Sequence, residues 1–184
     1  MRYFKDTEFY EDGKTIELIS LALVAEDGRE FYACSLDMPF NRVAQDPWMR
    51  ANVLAHLPNL GDPAWMTREQ IRDEVTLFTG GGVGGALPNG WVVPYRAPPV
   101  VDPKPEFWCW YGASDWVAFY QLWGKLLDMP DRMPKWFREL KQLATDHGDV
   151  KLPAKPKDYE GRHSALVDAR WNRDVYNFLT GRKR

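Results

Sequence analysis

Asp6 and Glu8 stand two residues apart inside the run Tyr3-Phe4-Lys5-Asp6-Thr7-Glu8-Phe9, which reads as a strand of aromatic and β-branched residues. Side chains at i and i+2 of a strand share a face, so the two carboxylates sit side by side. Carboxylates held a few ångströms apart repel one another unless a proton or a cation lies between them, and a neighbouring hydrophobic core leaves little water to screen them. A divalent metal would resolve that conflict. An edge strand whose polar face looks at solvent would resolve it too, and Asp-Thr-Glu alone does not choose.

Further acids occur downstream. Asp115 follows the almost solid aromatic segment Glu106–Tyr111 at the start of a predicted helix, the strand-edge position at which open α/β sheets bind ligands. Asp168 falls early in the last predicted helix. Either acid has a sufficient local reason to be there, since a carboxylate in a first turn stabilises the helix dipole. His163 precedes Asp168 by five residues, a rotation of roughly 140° in a regular helix, on different faces. Both reach one site only if His163 lies on the loop and Ser164 caps the helix behind it, and the sequence supplies that cap.

Four carboxylates around one point can hold two divalent ions about 3.5 to 4 Å apart, one activating water and the other stabilising the leaving oxygen of an in-line displacement at phosphorus. Hard oxygen ligands select Mg²⁺ or Mn²⁺ over zinc. A histidine with a pKa near ~6.5 takes the proton of water at neutral pH.

Asp6-Thr7-Glu8, Asp115, and His163 with Asp168 five positions on resemble, in this chain order and on these element types, the DEDDh exonucleases of the ribonuclease H-like fold. The segments Met1–Phe9, Glu11-Asp-Gly, Thr15–Ser20, Val24–Glu30, Leu122-Trp-Gly and Ala165–Arg170 are similar to those of the actinobacterial exoribonucleases AS, specific for polyadenylate. The resemblance spans most of the chain. It implies a two-metal 3'-5' exonuclease with Asp6, Glu8, Asp115 and Asp168 as metal ligands and His163 as general base. Nucleoside 5'-monophosphates would be released from adenosine-rich single-stranded RNA, and similar enzymes are homodimers. Thr7 and Phe9 are candidate substrate contacts. Phe9, the strand neighbour of Glu8, starts on the opposite face and reaches a base only if the strand end curls at Tyr10–Gly13. The alternative for Phe9 is a core residue. A DNA proofreading exonuclease uses the same five residues, because RNA is told from DNA at the 2'-OH. A silent nucleic-acid-binding module of the same fold is disfavoured by all five positions being filled.

The elements that must position these residues are read from punctuation and periodicity. Turn signals at Glu11-Asp12-Gly13-Lys14 and Glu26-Asp27-Gly28-Arg29 separate three strands, an antiparallel meander. Helices are predicted at 47–57, from Thr67 as N-cap with Gln70 completing a capping box, at about 115–125, and at 164–179. Residues 136–147 fit either an amphipathic helix or a strand followed by a helix. With the buried strand at 106–111 the order is mixed α/β, helices covering both sheet faces. Together with the resemblance this implies a ribonuclease H-like five-stranded mixed sheet, the meander plus parallel strands. One departure is a segment at 80–105 with six glycines before Trp91 and five prolines from Pro94 onward, read as a surface insertion. Its glycine run lacks the Gly-Lys-Ser/Thr ending of a phosphate loop.

The 184 residues, 45% hydrophobic and 14% aromatic, suit one compact domain, 1–184. Net charge is −2, but residues 151–184 carry nine Lys or Arg against four Asp or Glu, leaving the rest of the chain acidic. Such asymmetry suits an acidic metal site beside a basic segment facing a polyanion. Cys34 and Cys109 lie in apolar runs and read as buried thiols of a reducing compartment. Neither a signal peptide nor an 18-residue apolar span is expected, so the chain reads as soluble and cytoplasmic. Nine tryptophans, and Trp116, Phe119, Tyr120 and Trp123 at spacings of three and four, suggest an aromatic surface shared with a second chain.

Overall fold

The computed structural model describes residues 1–80, 104–155 and 163–181. Six strands form one mixed sheet: β1 (Arg2–Glu11), β2 (Ile16–Ala25), β3 (Glu30–Ser35), β4 (Trp65–Met66), β5 (Glu106–Cys109) and β6 (Arg138–Glu139), in the order β4-β3-β2-β1-β5-β6. Strands β1, β2 and β3 are the expected antiparallel meander, and β4, β5 and β6 each run parallel to a neighbour. Among the described residues the sheet has six strands instead of five because two-residue strands close each edge, too short to show period-2 alternation in the sequence.

Local chemistry sets the meander. Asp12 Oδ1 accepts from Lys14 N (3.0 Å), Thr15 N (2.7 Å) and Thr15 Oγ1 (3.1 Å), and Gly13 takes a φ of 80°, which L side chains rarely adopt. Strand β2 is apolar along most of its length and becomes central, buried on both faces.

Helices follow as α1 (Phe40–Val43), α2 (Pro47–Asn52), α3 (Arg68–Phe78), α4 (Ala113–Tyr120), α5 (Leu140–Asp146) and α6 (Ala165–Thr180). The capping box forms as expected: Thr67 accepts from Gln70 N, and the Gln70 side chain accepts from Thr67 N at 2.9 Å. The helix expected at 47–57 is interrupted after Asn52 and continues as a 3₁₀ turn over Leu54–His56, and residues 136–147 resolve to β6 followed by α5. Helix α4 begins two residues before Asp115 and passes into a 3₁₀ turn at Gln121–Trp123.

Alternation along β1 divides the molecule. Tyr3 packs with Ile71 and Val75 of α3 and Trp116 and Phe119 of α4, whereas Phe4 packs with Ala165, Ala169 and Tyr176 of α6 on the other face. Asp6 and Glu8 share the parity of Phe4, so they face α6; Lys5 and Thr7 share that of Tyr3 and face α4. The aromatic run on α4 is consumed by this core: Trp116 and Phe119 are buried, and Tyr120 and Trp123 pack against the same cluster. Trp116 and Phe119 are thereby used inside the protein, while Tyr120 and Trp123 stay half-buried. Cys34 and Cys109 are free and buried, and burial pushes their thiols up to about 11 and about 12. Apart from its ends, the Gly/Pro-rich segment expected at 80–105 lies outside the described residues. Among the described residues no helix is long and apolar enough to cross a membrane.

Candidate active site

Strand β1 outlasts its parallel partner. Pairing with β5 stops at Phe4 opposite Trp108, while β1 continues to Glu11 against β2, so from Lys5 onward one edge of β1 lacks a strand neighbour among the described residues. Two helices satisfy that edge with side chains. Asp115, in the first turn of α4, accepts on Oδ1 from Thr7 N (2.7 Å) and Thr7 Oγ1 (2.8 Å), and Asn172 of α6 donates from Nδ2 to the Lys5 carbonyl (3.0 Å). The end of the ladder thus brings acids from both sides of the sheet together.

The turn that delivers Asp115 is itself held. Glu139 accepts from Tyr111 N (2.9 Å), Gly112 N (3.0 Å) and Lys141 N (2.9 Å). At Gly112 a Cβ would lie 2.2 Å from the Cβ of Cys109, so only glycine lets α4 start so close to β5.

On the α6 face, ligand oxygens of Asp6, Glu8 and Asp168 all fall within 4.8 Å of one another. Asp115 stands beside this trio, engaged by Thr7. Burial, then the charges of Asp115, Asp168 and Glu8, holds the Asp6 carboxyl well above its ordinary range, and Lys5 opposes the rise. Glu8 is pushed up to about 8 by burial and by Asp168 and Asp115, with Lys155 acting in the opposite sense. Protons or cations must neutralise such a cluster. Among the described residues, two ammonium groups do so. Lys5 is fully buried, its Nζ 3.9 Å from Asp115 and 5.6 Å from the Phe119 ring centroid, and Lys155 pairs with Asp168 from the open side. An all-oxygen donor set of this kind suits a hard divalent cation.

The trio lies in a cavity of about 380 Å³ that is also lined by His163, Trp48, Lys155 and Asn172. His163 precedes α6 and Ser164 takes the N-cap position with extended backbone, as expected from the sequence, but the Ser164 side chain makes no capping hydrogen bond to the helix. His163 N donates to Asn52 O at 3.0 Å, and its ring meets Trp48 edge-on at 4.8 Å, so α2 seats the loop. Thr7 borders the cavity while its hydroxyl holds Asp115. Phe9 borders it too and also packs with the α4-side core, so both readings of this residue find a counterpart. The irregularity that affects Phe9 is a register shift of the β1–β2 ladder between Glu8 and Phe9, where β2 carries the extra residue Ile19, and not a curl at Tyr10–Gly13.

Trp48, Lys155, Trp171 and Asn172 were not legible as site residues. Asn172 had a signal in its i+4 spacing from Asp168. The others depend on how α2 and residues 151–155 meet α6.

No family model matches the sequence. Two curated 3'-5' exoribonucleases of Mycobacterium tuberculosis, from strains CDC 1551 and H37Rv, are each 42% identical to it over 170 residues, covering 92% of this chain and 88% of the relative. Identity at that level, spread over most of both chains, makes this protein a member of the same 3'-5' exoribonuclease family.

Proposed function

We propose that the chain is a DEDDh-type, metal-dependent exoribonuclease that shortens single-stranded, adenosine-rich RNA from its 3' end and releases nucleoside 5'-monophosphates. The observation that carries this reading is the convergence of Asp6, Glu8 and Asp168 within 4.8 Å, with Asp115 beside them and His163 lining the same cavity. Asp6, Glu8, Asp115 and Asp168 would hold two Mg²⁺ or Mn²⁺ ions. When bound, these supply activation of water at neutral pH and neutralisation of the charge that grows at phosphorus.

The remaining work falls to the protein's own groups. His163, exposed at the rim, accepts the proton of the attacking water, and its contact with Trp48 orients the ring. Thr7 keeps the Asp115 carboxylate in one orientation through two hydrogen bonds. Trp48, about half exposed, offers a stacking face for a terminal base, and such stacking is worth about 1 to 3 kcal/mol without discriminating among bases. Preference for adenosine rests on the resemblance to polyadenylate-specific enzymes. A homodimer in the cytoplasm completes the proposal; the buried free thiols suit that compartment.

The test is a gel. RNA and DNA oligomers labelled at the 5' end, including oligo(A) and oligo(C), are incubated with the protein and Mg²⁺ or EDTA. Stepwise shortening of oligo(A) RNA that stops with EDTA is expected. DNA degraded as fast as RNA would overturn the substrate assignment, and light scattering that finds one chain per particle in an active sample would remove the dimer.

A further inference from the structure

We propose that Lys155 is an exchanging counter-ion. Its ammonium occupies the acidic site in the metal-free protein, and on metal loading it transfers to a backbone phosphate of the RNA. This rests on the reading of the acids as a metal centre. Lys155 reaches Asp168 across the open side of the cavity, and its Nζ lies 5.2 Å from the centroid of the Trp171 ring. The lysine is delivered by an anchored segment: Trp171 Nε1 donates to Pro153 O at 2.8 Å, and Leu152 packs against the cluster of Ala144, Val175 and Leu179. The backbone is tied to α6, while the lysine side chain remains 44% exposed against 11% for Asp168. An ammonium so placed can leave its carboxylate by rotating about its own side-chain bonds, with the Trp171 face still beside it.

Charge argues for the exchange. Among the described residues, and counted as ionised, Asp6, Glu8, Asp115 and Asp168 exceed Lys5 and Lys155 by two negative charges. Two divalent ions would leave the cavity two charges positive. Two phosphates of an RNA strand match that excess, one at the reacting bond and one on Lys155. Lys5 cannot make the same move, because it is fully buried on the opposite face of β1. The ammonium thus serves twice: it neutralises repelling carboxylates before metal arrives, and it binds the polyanion afterwards.

Lys155→Met and Lys155→Arg separate this role from that of a simple structural ion pair. In Mn²⁺ titrations without RNA, read by the electron paramagnetic resonance of the free ion, Lys155→Met should bind roughly threefold to tenfold more tightly than the parent, because no ammonium has to be displaced; the half-exposed pair limits the gain. In steady-state hydrolysis of oligo(A), the same variant should lose kcat/KM through KM, by about tenfold. Its log KM against log[salt] slope should fall by about 0.7, the loss of one phosphate contact to a single strand. Lys155→Arg should restore both KM and slope. Opposite signs for metal and RNA are the signature. Unchanged Mn²⁺ affinity, or Mn²⁺ and RNA weakened together, would overturn the exchange. The Mn²⁺ arm uses no RNA, so it tests the displacement even if the exoribonuclease reading fails.

Discussion

The two walls of the acidic cavity are built differently. Behind β1, Lys5, Thr7 and Asp115 are buried against α4, each tied to a neighbour through hydrogen bonds or a close charge. In front, His163, Trp48 and Lys155 are carried by a loop and a short helix and stay largely exposed. A rigid rear wall fixes where carboxylate oxygens stand, which the coordination of small hard ions demands. An exposed front wall suits groups that must meet a strand and release it after each cleavage. The rear wall is expected to fix the metal ligands, and the front wall to govern proton transfer, substrate binding and, through Lys155, competition with the metal.

Breaking the metal centre should have the largest effect. Asp6→Asn is expected to abolish RNA hydrolysis and to weaken Mn²⁺ binding while leaving the circular dichroism spectrum unchanged; an active, metal-binding variant would remove Asp6 from the centre. On the front wall, His163→Ala should lower turnover by about 10² to 10⁴ fold while Mn²⁺ affinity stays near the parent value. If metal affinity falls with activity, the division between the walls is wrong. An intermediate effect is expected at the rear, where Thr7→Val keeps the backbone bond to Asp115 and loses the hydroxyl. Supporting contacts of this kind are worth about 10 to 100 fold, and the loss should appear as a higher Mn²⁺ requirement, with the dependence on RNA concentration little changed.

The smallest effect expected is one of stability. Glu8 in the metal-free fold titrates near 8, against an ordinary value of 4.5. Between those values the folded state binds more protons than the unfolded chain, so stability should fall as pH rises through this window. In EDTA the melting temperature should therefore drop between pH 5.5 and 8, and Mg²⁺ should raise it more at pH 8 than at pH 5.5, where protons compete for the carboxylates. A melting temperature that rises with pH in EDTA would show that Glu8 is already ionised in the cluster.

Legibility of the fold followed the range of the interaction. The Asp12-Gly13 turn, the Thr67–Gln70 capping box and the placement of His163 ahead of Ser164 depend on residues within a few positions of each other, and all were readable. Where helix α4 starts was not, because its start depends on Gly112 passing against Cys109 and on Glu139, 27 residues away, holding the turn. Spacing also left open where the aromatics of α4 pack. Periodicity identifies an apolar stripe but not what covers it, and the sheet face carrying Tyr3 and Phe107 had room for Trp116 and Phe119.

For the site, the sequence alone determined the pairing of Asp6 with Glu8, since strand geometry puts alternate residues on one face whatever the rest of the chain does. It also determined that His163 could join Asp168 only from outside the helix, a consequence of helical pitch. Tertiary structure alone decided the rest. Pairing of β1 with β5 had to end at Phe4 to open the edge through which Asp115 reaches Thr7, and α2 had to meet the loop before α6 to seat His163 on Trp48. A lysine next to Asp6 had to be buried against Phe119 while another closed on Asp168. These contacts join residues up to 115 positions apart in the chain, between His163 and Trp48, and only the packing of helices on both faces of the sheet brings them within reach.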